Sequence, residues 1–116
     1  MYQYTTPSIT FELRGLALSD GDNVWVSVES QVRVKDDPDG GKITIDDPDV
    51  TVEGSNTVVS CMLTQEQSAS LPEGRALVQV NYLTADGIRD ASPKVAVKVE
   101  RNLLGEVKVY EVRPNE

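Results

Sequence analysis

A chain of 116 residues with a formal charge of −8 and a pI near 4.5 is the size of one domain, expected over residues 1–116, and buries roughly two-thirds of its unfolded surface. The acidic balance repels phosphate, which argues against nucleic acid and anionic membranes as partners, and no apolar run approaches the ~20 residues of a membrane-spanning helix. There is no histidine, so Ser-His-Asp and Cys-His nucleophile systems and the usual zinc and iron ligand sets are excluded, and no enzyme activity is expected.

In chain order, the opening from Met1 to Pro7 has neither the basic end nor the apolar stretch of a signal peptide, so export by that route is not expected. From Ile9 onward apolar residues fall on alternate positions in short segments rich in Val, Ile and Thr, as half-buried strands require. The pattern predicts strands over 8–14, 23–29, 31–35, 42–46, 50–53, 57–63, 75–83, 94–100 and 107–112. Turn chemistry separates them: Ser19-Asp20-Gly21-Asp22-Asn23 after the first, and Asp86-Gly87 as a hairpin signal between 75–83 and 94–100. Thr64-Gln65-Glu66-Gln67 predicts a single helical turn with a capping box, ended by Pro72 and suited to crossing between sheets. Pro93, just before a clean alternation, belongs at a strand start, an edge or a bulge. The spacing predicts an all-β fold, an immunoglobulin-like antiparallel β-sandwich with one short helical turn, with a small closed barrel as the alternative.

Cys61 stands in phase with Val59 and Leu63, so its thiol is expected on the buried face as a small hydrophobe, and Tyr82 falls on the core phase of its own strand. Charge is concentrated between residues 36 and 74, where nine acidic side chains meet only Lys42. Within it an Asp-rich element is duplicated, Asp36-Asp37-Pro38-Asp39 and Asp46-Asp47-Pro48-Asp49, on either side of Lys42 to Ile45. Asp-Pro and Asp-Gly pairs read as turns. The same six residues, Asp36, Asp37, Asp39, Asp46, Asp47 and Asp49, are the only candidate ligands for a calcium ion, although their spacing departs from the helix–loop–helix calcium template. Apart from that calcium, no cofactor is expected.

Trp25 lies between Val24 and Val26 and therefore faces outward if they face the core, which makes it the candidate interface residue. A sugar platform would need further aromatics in register with it, and Tyr2, Tyr4 and Tyr110 are the ones available. The tail after Tyr110 either completes the sheet or projects as an arm that pairs with a neighbour's edge strand.

Several stretches together resemble a known group. They are Tyr4-Thr5-Thr6-Pro7-Ser8-Ile9-Thr10-Phe11, Asn23-Val24-Trp25-Val26-Ser27-Val28, Leu63-Thr64-Gln65-Glu66-Gln67, Glu73-Gly74-Arg75-Ala76-Leu77-Val78-Gln79-Val80, Asp86-Gly87 and Ala91-Ser92. In these the chain is similar to small structural proteins of tailed phages and prophages of Gram-positive bacteria, and to the amino-terminal domain of phage baseplate upper proteins. The 36–49 segment departs from that pattern by being longer and more acidic. The resemblance implies a sandwich without catalytic residues, located in the virion and in the bacterial cytoplasm during assembly, with protein partners in the virion. A homo-oligomer held by head-to-tail contact between the acidic region and less acidic faces fits that expectation. A calcium-dependent or carbohydrate-binding surface module is the competing expectation.

Overall fold

The computed structural model describes residues 1–19, 21–32 and 41–111, and they form a β-sandwich of two antiparallel sheets. The strands are β1 (Ser8–Leu13), β2 (Asn23–Ser30), β3 (Lys42–Ile45), β4 (Asp49–Glu53), β5 (Asn56–Met62), β6 (Gly74–Leu83), β7 (Arg89–Ala91) and β8 (Val95–Val99), with helix α1 (Gln65–Ala69) between β5 and β6. One sheet has the order β1-β5-β4; the other runs β3-β2-β6-β7, with β8 also on β6. The connections β1–β2, β3–β4 and β5–β6 each cross from one sheet to the other, which locks the layers together.

Alternation decides the packing. Val24, Val26 and Val28 of β2 and Ala76, Val78 and Val80 of β6 turn inward, against Leu13 and Val59 of the opposite sheet, with Leu63, Leu71 and Val99 closing the core. Cys61 and Tyr82 pack against this core, on the faces that their phase predicts. Thr64 caps α1 by accepting from the Gln67 amide, while the Gln67 side chain accepts from the Thr64 amide.

Three expected features differ. The strand expected over 31–35 does not begin: Ser30 Oγ accepts from the Val32 amide at 3.0 Å and bends the chain as β2 ends, and 33–35 lie outside the described residues. The Asp-Gly hairpin joins β6 not to β8 but to the short β7. Ser92 separates β7 from β8, its hydroxyl accepting from the Val80 amide and donating to the Pro93 carbonyl, so Pro93 sits at a break between strands. Residues 107–111, expected in a last strand over 107–112, pair with no strand among the described residues, and Val112 lies outside them. The cause is upstream: the Asn102 side chain accepts from the Leu104 amide through Oδ1 and donates through Nδ2 to the Gln3 carbonyl, turning the chain away from the line of β8.

Candidate functional site

The register fixes what each sheet shows to solvent. Trp25 on β2 lies opposite Asn81 on β6, and Ser27 lies between Thr44 on β3 and Gln79 on β6, all pointing away from the core. Trp25 is thus outward, as its phase predicts, and half-buried among its neighbours. With Ser27, Thr44, Asp46, Asn81 and Arg89 it lines an open groove of about 300 Å³ near the middle of the five-stranded sheet. A large aromatic ringed by hydrogen-bonding side chains is the arrangement of a binding hot spot: apolar area at the centre, polar groups around it that orient a partner and exclude water.

Charge distinguishes the two outer faces. The same alternation places Glu29, Lys42, Arg75 and Lys98 farther along this face, with Lys98 paired to Glu100 at 3.5 Å, so with Arg89 and Asp46 the charged groups named on the five-stranded sheet are four cations and three carboxylates. The outer face of the three-stranded sheet shows Glu12, Asp49 and Glu53, with Arg14 paired to Glu12 at 3.4 Å. One molecule therefore carries a mildly basic face and an acidic face on opposite sides. Alternation along single strands does not reveal this, because it appears only when pairing brings distant residues onto one surface.

Of the Asp-rich candidates, the structure describes only the second copy. Asp36, Asp37 and Asp39 lie outside the described residues. Asp46, Asp47 and Asp49 sit in the crossover from β3 to β4, and the ends of that turn serve different sheets: Asp46 borders the Trp25 groove and Asp49 opens β4, opposite Ser60. Among the described residues no three carboxylate or thiol groups converge as a metal would require. The tyrosines do not join Trp25 in a row: Tyr4 lines a separate groove with the chain around Asn102 to Lys108, and Tyr110 is exposed beyond it.

Two groups titrate away from their ordinary values. Burial, and then the Asp49 carboxylate, push the Cys61 thiol up, which keeps it protonated and unreactive at neutral pH. Burial against the sheet, then the charge of Asp90 and a hydrogen bond to it, push the Tyr82 phenol up. Neither behaves as an activated nucleophile. Among the described residues no helix is long and apolar enough to cross a membrane.

No family model, curated protein or solved structure matches the chain. Its class therefore rests on its own geometry: a β-sandwich with oppositely charged faces and an aromatic-centred groove on one of them.

Proposed function

We propose that the protein is a non-enzymatic structural module that works by protein–protein assembly, with the basic, Trp25-centred face of one copy meeting the acidic face of the next. The observation that carries this reading is the opposition of charge between the two outer faces, with the single outward tryptophan on one of them. Such a contact joins different surfaces on the two partners, so repetition closes a ring or extends a stack. Steering by opposite charge speeds encounter, and a desolvated aromatic anchor slows dissociation. The stretches that resemble phage tail and baseplate proteins support a virion as the setting.

The immunoglobulin-like reading of the fold is supported by strand order. The arrangement β1-β5-β4 against β3-β2-β6-β7/β8 follows the order B-E-D and C′-C-F-G of that sandwich, without its first strand.

Light scattering across concentration, with Trp25 fluorescence read in parallel, tests the assembly. Oligomers are expected, with emission shifting to the blue as they form, and Trp25→Ala is expected to dissolve them. A chain that stays monomeric at millimolar concentration overturns the reading. The polar groups around Trp25 also suit a sugar, but a single aromatic makes half a platform at most. Titration with simple saccharides that leaves the emission unchanged separates the two.

A further inference from the structure

The sandwich is open along one side. The edge strand β1 and the edge strand β8 border a cleft of about 440 Å³ lined by Met1, Ile9, Phe11, Val78, Val95 and Val97. Pro7 accepts from Leu63, just past the end of β5, so by alternation the N–H and C=O groups of Ser8, Thr10 and Glu12 point away from β5, toward no strand among the described residues. On β8 and just past it, Lys98 and Glu100 bond to Met1 and Gln3, whereas Ala96 of the same phase finds no such neighbour among the described residues. An apolar cleft beside the free backbone edge of β1 is a template for an added strand.

The same chain carries an unpaired segment of the matching kind. Beyond the bend at Asn102, residues 106–110 read Glu-Val-Lys-Val-Tyr, with Val109 82% and Tyr110 88% exposed. Among the described residues the strand-like alternation has no sheet to serve it. Instead, the Gln65 side chain grips one residue at both ends: its Nε2 donates to the Lys108 carbonyl and its Oε1 accepts from the Lys108 amide, each at 2.7 Å. This pair of bonds is what a neighbouring strand would supply.

We propose that residues 106–110 of one copy add as a strand to the free edge of β1 in a second copy, antiparallel to it, with Val109 and Tyr110 reaching the mouth of the β1–β8 cleft. Val107 and Val109 enter on the side of Leu13 and Phe11. In that register Lys108 falls beside Glu12 and Glu106 beside Arg14. These two charge pairs, each now satisfied within its own segment at 2.7 and 3.4 Å, exchange partners across the contact. With both valines turned inward, the backbone groups of Lys108 necessarily face β1, so docking replaces the Gln65 amide by the strand edge. Gln65 thus holds the arm in reserve and competes with assembly.

The inference rests on the assembly reading but uses the edge of β1, sharing only Glu12 and Arg14 with the acidic face, so the two can fail separately. Sedimentation velocity on the full chain is the test, with substitutions at solvent-exposed positions. Val109→Asp in the arm and Thr10→Pro, which removes an outward N–H from β1, are each expected to weaken this contact by roughly tenfold to a hundredfold. Gln65→Ala is expected to strengthen it about tenfold by releasing Lys108. An equal mixture of the Val109→Asp and Thr10→Pro chains is expected to regain one-to-one pairs, because one supplies a sound arm and the other a sound edge. Association that survives both substitutions, or a mixture that fails to pair, overturns the proposal. Association lost in Trp25→Ala but kept in Val109→Asp and Thr10→Pro leaves the facing sheets in place and removes the arm; the reverse pattern removes the facing sheets and keeps the arm.

Discussion

Thr57 sits near the start of β5, the central strand of the three-stranded sheet, with no exposed surface, and its hydroxyl makes two bonds to the connection between β1 and β2. It donates to the Leu16 carbonyl at 2.6 Å and accepts from the buried Leu18 amide at 3.1 Å. Thr57→Val keeps the shape and strands both backbone groups. Each buried polar group left unpaired costs about 1–3 kcal/mol, the larger share falling on Leu18 because Leu16 lies nearer to water. The added methyl returns less than about 1 kcal/mol, which leaves a net loss of about 2–3 kcal/mol. A chain of this length unfolds with an entropy near 0.24 kcal/mol/K, so the midpoint should fall by about 10 °C. Thr57→Ser, which keeps the hydroxyl and loses only the methyl, should fall by less. Thermal unfolding by circular dichroism reads both. A Thr57→Val midpoint within about 2 °C of the native chain would show that the crossover does not depend on this hydroxyl, and would refute the reasoning.

Gly41 stands at φ +79°, and a Cβ there would come within 2.9 Å of Ser30 Cβ and 3.1 Å of the Pro72 ring, so Gly41→Ala should cost about 1–3 kcal/mol in urea unfolding. The Cys61 thiol and the Tyr82 phenol both titrate above their ordinary values of 9.0 and 10.0. Because the unfolded chain ionises first, their contribution to stability is intact below pH 9 and is lost as pH rises through the raised folded values. Cys61→Ala should flatten the first part of that alkaline decline, and in the native chain Cys61 should react with a disulfide reagent at neutral pH more slowly than in urea. Self-association between oppositely charged faces should weaken steadily from about 0.01 to 0.15 M salt, over which the screening length falls from about 30 to 8 Å; association unmoved by salt would argue for a purely apolar contact.

The layer structure was legible because period-two alternation is a direct record of which side of a sheet is buried. Val24, Val26 and Val28 follow it, and the outward position of Trp25 follows as its complement. The capping box at Thr64 and Gln67 was legible for a similar reason, since both partners lie within one turn. What stayed hidden depends on distance along the chain. Val107 and Val109 alternate like a strand, yet whether they pair is decided by Asn102, which bends the chain before they arrive. Val50 and Val52 on β4 also alternate, but they remain 41% and 44% exposed because an edge strand receives cover from one neighbour only. The acidic and basic faces each draw on residues from several strands, and only the register unites them. The second Asp-Pro-Asp copy was legible as a turn, but that it spans a crossover and sends Asp46 and Asp49 to different sheets depends on the strand pairing.

Paired charge reversal tests head-to-tail assembly most directly. Arg75→Glu with Arg89→Glu makes the basic face acidic, and Asp49→Lys with Glu53→Lys makes the acidic face basic, all at exposed positions. Measured by sedimentation velocity at low salt, each double variant alone should be less associated than the native chain, and an equal mixture of the two should assemble again. Native-like association in both separate variants, or a mixture that remains monomeric, would contradict the account.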